Sequence, residues 1–454
     1  MKLTFHGGAG SVTGANYLLE SGNTKILIDC GLIQGSSSVE KKNFEDFSYD
    51  PKTIEAVFIT HAHIDHTGRL PKLVSGGFSG TVYSTRPTKE FSKPLLEDSV
   101  NLLLRDEDEE TKKSFCSEGC IDTLMSLWKG ADYHENISVG PFTIRFYNAG
   151  HILGSSFIEV EVENKRIVFS GDLGNSPAPL IEPRENLPKG VDYLLVESTY
   201  GNRTHERVDK IKEDLEDMIE ATAKSGGNLM IPSFAMERTQ ALLFHINDLM
   251  DDKKVPQMPV FLDSPLAIKI TNVYKNYKQY LNDETKMFIE EGNKLFDFPN
   301  LKKTLLTDES KAILEAKPPK VIIAGSGMSQ GGRIIHHEKN YLPDPSSILL
   351  FVGYQVSGSL GRLILDGKKK GEDFTVKILG EDVPVKAKVK AIGGYSAHAD
   401  QPQLVSWIFP IRKSLKKVFV VQGEEDQSIP FSQKLRDDMA INVEIPKEGD
   451  VVEL

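Results

Sequence analysis

Along the first 200 residues the apolar positions fall in short alternating or β-branched runs, set apart by Gly-rich or charged stretches, and that rhythm predicts strands. The runs are 2–6, 16–19, 25–30, 56–60, 81–84, 137–139, 142–148, 156–162, 166–170 and 193–197. Residues 7–14 are a Gly-rich turn, 69–74 have helical spacing, and the chain turns helical and charged from Pro87 to about Trp128, with 105–113 a solvated stretch. After Tyr200 the rhythm changes. A helix over 205–223 places Ile211, Leu215, Met218 and Ile219 on one face. Strands at 228–232, 260–262, 320–324 and 347–352 then alternate with helices over 235–250 and 264–281 and after the Gly-rich 325–332. Such alternation predicts a parallel sheet with crossover connections. Gly367–Gly371 and a hairpin-like 375–390 mark a boundary, and 418–421 is a further strand.

The chain has 454 residues, enough for two to three domains at roughly 100–200 residues each. Hydrophobic residues at 39% and charged residues at 26% exclude a disordered or fibrous chain. No apolar run reaches the roughly 18 residues of a membrane span, and the N-terminus lacks the apolar stretch of a signal peptide, so a cytoplasmic location is expected. Three cysteines, Cys30, Cys116 and Cys120, make no disulfide framework and are expected as free thiols. The net charge of −11 excludes a polycationic nucleic-acid binder but not a local basic groove.

The strongest chemical signal is Thr60-His61-Ala62-His63-Ile64-Asp65-His66, directly after a strand. Imidazole and carboxylate suit Zn²⁺ or a similar divalent ion, and a loop can aim several of them to one side. Three of the chain's 11 histidines fall in this one segment, which is hard to reconcile with an ordinary polar loop. Asp29, His151 and Asp172 each follow a predicted strand beside glycines. Alone, each reads as a turn residue; with the His61–His66 segment they read as one site on the rim of a sheet.

This set resembles the metallo-β-lactamase superfamily, with its H-x-H-x-D-H loop, distal His and bridging Asp. The resemblance implies that His61, His63 and His151 hold one zinc, Asp65 and His66 a second, with Asp172 bridging and Asp29 orienting a ligand. Further segments resemble the β-CASP branch: Glu197-Ser198-Thr199-Tyr200-Gly201, Phe234-Ala235-Met236-Glu237-Arg238-Thr239-Gln240, Asp263-Ser264-Pro265, Gly325-Ser326-Gly327-Met328, Gly353-Tyr354-Gln355 and Tyr395-Ser396-Ala397-His398-Ala399-Asp400. The last is similar to the mRNA 3′-processing (cleavage and polyadenylation specificity factor) endonuclease group. The implied fold is α/β: a four-layer αββα metallo-β-lactamase domain from 1–202 and 376–454, with an inserted parallel-sheet β-CASP domain over 203–375 and the site in the cleft between. The implied activity is zinc-dependent hydrolysis of single-stranded RNA by a metal-bound hydroxide, as an endonuclease and also in a 5′-to-3′ exonuclease mode. Asp65, Glu197 and His398 are the implied catalytic residues, with Glu197 orienting His398 or the metal site. Ser326, Gly327, Arg333, Arg362 and Ser396 are candidates for phosphate or RNA contact, although either arginine could equally form a structural ion pair. Relatives commonly dimerise, so a homodimer is expected.

One position departs from the pattern. Gln422, in Val421-Gln422-Gly423-Glu424, stands where the family carries a His that ligates the second metal. Three outcomes are open: weaker metal retention with Gln422 or water in place, a harder ion such as Mn²⁺ or Mg²⁺ at that site, or a one-metal protein with little nuclease activity. The persistence of the other ligands favours a retained, altered site; a catalytically weak RNA-binding or scaffold subunit is the alternative. Hydrolysis of a small ester or β-lactam is disfavoured, because the inserted domain would cap an open site. His6 reads as a turn residue and Lys368–Lys370 as a solvated turn.

Overall fold

The computed structural model describes residues 1–205, 208–356, 358–371, 374–392 and 397–454. The chain forms two compact units, Met1–Thr204 with Ala397–Leu454, and His205–Ser396.

The first unit is built on two seven-stranded sheets. One runs Val451–Glu453, Lys2–Gly7, Asn16–Ser21, Thr24–Ile28, Ala56–Phe58, Thr81–Thr85, Trp128–Ala131; the other runs Val443–Glu444, Lys417–Val421, Tyr193–Glu197, Lys165–Phe169, Ser156–Val162, Phe142–Asn148, Ile137–Val139. Alternate side chains of each sheet share one core: Phe5, Tyr17, Ile28 and Phe58 from the first pack with Phe146, Ile158, Phe169 and Phe419 from the second. The outer faces carry helices. Leu70 and Leu73 of Leu70–Ser75 and Leu124 of Cys120–Leu127 cover Leu27, Val57 and Val82; Leu404 and Ile408 of Gln401–Ile408 and Phe431 and Leu435 of Glu425–Met439 cover Val168, Leu194 and Val420. This is the expected αββα order.

The second unit has a six-stranded sheet, ordered Leu301–Lys303, Val260–Asp263, Lys320–Ala324, Asn228–Pro232, Ile348–Phe351, Lys388–Ala391. Every neighbouring pair is parallel, as the alternation predicts.

Several details differ from the sequence reading. The expected boundary at 375/376 falls inside the second compact unit, which runs on to Ser396. The hairpin Thr375–Ile378/Glu381–Pro384 buries Val376, Ile378 and Val383 against Leu349, Phe351 and Ile364, and Lys388–Ala391 pairs with Ile348–Phe351. The helical stretch ending near Trp128 is three helices, Arg86–Leu103, Glu109–Phe115 and Cys120–Leu127, followed by the strand Trp128–Ala131. Its indole Nε1 donates to Ser84 at 2.8 Å across that new strand pair. The helix expected from 235 starts at Arg238, because Glu237 takes the left-handed φ of 64°. Cys116 and Cys120 are paired as a disulfide rather than free; they flank the bend between two helices, with Cα atoms 5.5 Å apart. Cys30 is free and buried.

Candidate metal centre

The site lies within the first unit, at the ends of four strands. The first is Thr24–Ile28, after which Asp29 takes a left-handed φ of 59°. Its carboxylate turns back onto the next strand end, accepting from Thr60 N–H and Thr60 Oγ1, both at 2.8 Å, and from His66 Nδ1 at 2.7 Å. Gly31 makes this approach feasible: a Cβ there would lie 1.5 Å from the Asp65 carbonyl oxygen. The loop after Ala56–Phe58 therefore presents His61 and His63 and then the short helix Ile64–Thr67, which carries Asp65 and His66.

His151 sits in the turn between Phe142–Asn148 and Ser156–Val162, its N–H donating to Ser155 Oγ at 3.0 Å. Asp172 follows Lys165–Phe169. Gly174 lets the two turns meet, since a Cβ there would lie 1.6 Å from the Gly150 carbonyl oxygen. Beside them, His398 is held by main-chain pairing: Ala399 N–H donates to the Leu173 carbonyl at 2.7 Å and Asn175 N–H to that of Ala397 at 2.8 Å.

Among the described residues three donor groups share Asp172, the third being Asp172 with Glu197 and His398. His61, His63, His151 and Asp172 offer ligand atoms within 4.8 Å of one another, and so do Asp65, His66 and Asp172. In the first group His61 Nε2 and His151 Nε2 lie 3.0 and 3.2 Å from His63 Nδ1, and 3.4 and 3.5 Å from Asp172 Oδ2. Zinc–nitrogen distances of about 2.0–2.1 Å put tetrahedral ligands about 3.3–3.4 Å apart, so these separations are close to those of ligands sharing one ion. The tautomers agree. His151 Nδ1 donates to the Ala397 carbonyl at 3.1 Å and His61 Nδ1 lies 3.1 Å from Thr60 Oγ1, leaving both Nε2 lone pairs facing inward. Burial, reinforced by neighbouring imidazoles, holds His63 and His151 well below the usual histidine range, which is the neutral form a metal requires. The residues present thus fit a divalent ion.

In the second group Asp172 Oδ1 is 3.2 Å from His66 Nε2, and Asp65 Oδ2 is 3.9 Å from the same nitrogen. Burial pushes the Asp65 carboxyl up, against the pull of His66. Burial opposes charge on Asp172 as well, yet His66, His61 and His398 hold it well below the carboxylate range. Beside both groups, His398 Nδ1 is 3.0 Å from Glu197 Oε2 and 3.9 Å from Asp172 Oδ2. Burial would lower His398, but Glu197 and then Asp172 push it up to about 10, so it carries a proton at neutral pH. Glu197 is wholly buried and fixed from its other side by Leu173 N–H.

Every expected ligand, together with Asp29, Glu197, His398 and Gln422, is therefore gathered in one place. The phosphate candidates belong to the second unit. Arg333 spends its fork inside the second unit, on Asp263 Oδ1 and the Thr304 and Leu305 carbonyls, each at 2.8 Å. Arg362 pairs with Asp366, one helical turn on, at 2.8 Å. Each guanidinium is thus paired with a carboxylate of its own unit. Ser326 Oγ accepts from Gln330 N–H at 3.0 Å, within its own loop, and Gly327 packs under the Phe234 ring. Ser396 lies outside the described residues. Sequence reasoning missed Thr60, whose hydroxyl lies within 3.2 Å of Asp29, His61 and His66 together. Its place between a strand and the His61–His66 segment was the available signal.

Comparison with known proteins agrees with this geometry. Residues 10–232 match the family described as the metallo-beta-lactamase superfamily, 239–364 the Beta-Casp domain, and 382–446 the Zn-dependent metallo-hydrolase RNA specificity domain. The chain is 36% identical over 435 residues to a protein of Thermus thermophilus named as a ribonuclease, spanning 96% of each chain. It is 31% identical over 452 residues, 99% of each chain, to an RNase J-like protein of Methanocaldococcus jannaschii. A transcription termination factor of that organism is 29% identical across 96% of this chain and 69% of its own length. A crystal structure of an Enterococcus faecalis protein of unknown function shares the fold, with a TM-score of 0.57 at 15% identity over 100% of this chain and 99% of that one.

Proposed function

The chain belongs to the β-CASP branch of the metallo-β-lactamase superfamily, a family of metal-dependent hydrolases, and from that premise we propose that it is a ribonuclease cleaving phosphodiester bonds of single-stranded RNA. The observation that carries the reading is the His61–His63–His151–Asp172 donor group with His398, paired to Glu197 at 3.0 Å, beside it. A divalent ion bound in that donor group, zinc in this proposal, supplies Lewis acidity and lowers the pKa of water.

The chain's own residues do the rest. His151 and His61 keep their Nε2 lone pairs inward through Ala397 and Thr60. Asp172 fixes the relation between the two donor groups. Asp65, pushed up by burial, takes the proton released when water attacks phosphorus. His398 holds a proton for the leaving oxygen, and Glu197 positions that imidazole and sustains its charge. Endonucleolytic cleavage is the primary mode proposed, with 5′-to-3′ trimming a second, and the homodimer implied by the resemblance is part of the same proposal. Cytoplasmic location is carried as an expectation; among the described residues no helix is long and apolar enough to cross a membrane.

The test is cleavage of end-labelled single-stranded and duplex RNA by the purified chain, with zinc and manganese in parallel and Asp172→Ala as the control for contaminating nuclease. Cleavage of the single strand that vanishes in Asp172→Ala supports the reading. No cleavage with either metal, alongside retained RNA affinity, would favour a binding subunit instead.

A further inference from the structure

The second donor group has three members, and Gln422 lies on its open flank. Gln422 is buried at the end of Lys417–Val421. Its main chain is pinned on both sides: its N–H donates to the Gly8 carbonyl at 2.7 Å, and its carbonyl accepts from Thr199 Oγ1 at 3.1 Å. With φ at 49°, in the left-handed region, the residue is held in a conformation that non-glycine residues seldom adopt.

The amide Nε2 is 2.7 Å from Asp172 Oδ1 and 3.3 Å from His66 Nε2. At 2.7 Å the first contact is a hydrogen bond in which the amide N–H donates to the carboxylate oxygen. The Asp172 oxygen that faces Asp65 and His66 is therefore already engaged by an N–H. His66 Nε2 is engaged whichever proton it carries. Without one it faces the amide nitrogen's N–H groups, and with one it donates to the same Asp172 oxygen at 3.2 Å. A carboxamide nitrogen offers a metal no lone pair, and its hydrogens carry positive partial charge into the space between the ligands.

We propose that the Gln422 amide takes the place of the second ion, and that the chain works with one tightly held divalent ion in the His61–His63–His151–Asp172 shell. This rests on the reading of that shell as the working metal centre. The positive charge that the Asp65–His66 side calls for is met by hydrogens, not by an ion. For Gln422 to serve as a ligand its amide must turn over, giving up the Asp172 bond and presenting a neutral carbonyl oxygen, a poor zinc ligand beside imidazole.

The experiment is metal content of the full chain after dialysis, by mass spectrometry, followed by titration with zinc and with manganese. One ion per chain is expected, and two in Gln422→His. Asp65→Asn should leave the wild-type content at one and lower Gln422→His from two to one. Cobalt(II) loaded into the wild type should give the magnetic resonance of an isolated ion, and in Gln422→His that of a spin-coupled pair. Two tight ions in the wild type, loss of an ion in Asp65→Asn alone, or a single ion in a folded Gln422→His each overturn the proposal. Should Gln422→His not fold, the Asp65→Asn measurement in the wild type still decides. One ion without RNA cleavage leaves this inference standing and removes the proposed function; no ion at all removes both.

Discussion

Asp29 does more at this site than its position outside both donor groups suggests. It accepts from Thr60 twice and from His66 Nδ1 once, so it sets both the course of the His61–His66 loop and the ring of His66. Partners of metal ligands typically change affinity by about 10–100-fold when altered. Thr60→Val should therefore weaken zinc about 10-fold, read by competition with a chromophoric chelator, and unchanged affinity would count against the assigned role. His398→Ala should lower kcat by about 10²–10⁴-fold while metal content stays at the wild-type level, as loss of a proton donor but not of a ligand would do. The contiguous His61–His66 segment was legible in the sequence because imidazoles and a carboxylate crowded into one loop suit a metal ion and little else. Thr60 was not, since a Thr ending a strand is common and its three partners meet only in the folded loop. Arg333 and Arg362 were ambiguous for the same reason: a guanidinium fits phosphate and carboxylate alike, and only the neighbours Asp263 and Asp366 decide.

At the scale of elements, Val260–Asp263 of the second unit ends in a buried carboxylate that accepts from His337 Nε2, Arg333, Thr304 Oγ1 and Ser310 Oγ at 2.7–2.8 Å. Burial opposes its charge, but these donors hold it far below the carboxylate range. Asp263→Ala would strand them together and should cost about 3–5 kcal/mol in urea unfolding. A group depressed in this way stabilises the fold above the unfolded carboxylate pKa of about 3.9, and that contribution declines as the pH falls below it. One helix away, Glu338 of Ile334–Tyr341 behaves oppositely. Burial pushes it up to about 8, and Ser329 Oγ only partly offsets this. The folded chain keeps the proton that the unfolded chain loses near pH 4.5, so stability drains away as pH rises from there through 8. Glu338→Gln, neutral at every pH, should gain at least about 1 kcal/mol over the wild type at pH 9 and nothing at pH 4. Sequence periodicity found these strands and helices because their apolar faces are regular. It missed Trp128–Ala131, which is too short to show a period and is recruited by Thr81–Thr85 alongside it.

On the scale of the whole molecule, the two units differ in how the chain supplies them. The second is one continuous segment, 205–396, with its own sheet and core; the first is assembled from both ends. The isolated 205–396 segment should therefore fold alone, giving a cooperative thermal transition by circular dichroism, whereas 1–204 alone should not. The general fold was readable from the switch in rhythm near residue 200. The later return point was not, because a hairpin and a following strand look the same in sequence whichever sheet they join.

The pairing of Val451–Glu453 with Lys2–Gly7, and of Lys417–Val421 with Tyr193–Glu197, also has a meaning in time. A ribosome makes this chain from one end, so strands synthesised early wait for neighbours synthesised later. His61, His151 and Asp172 emerge early, but the carbonyl of Ala397 that aims His151, the His398 imidazole and the Gln422 amide come only after the entire 205–396 unit has been made. The centre is thus incomplete until residues 397–454 have followed the 205–396 unit.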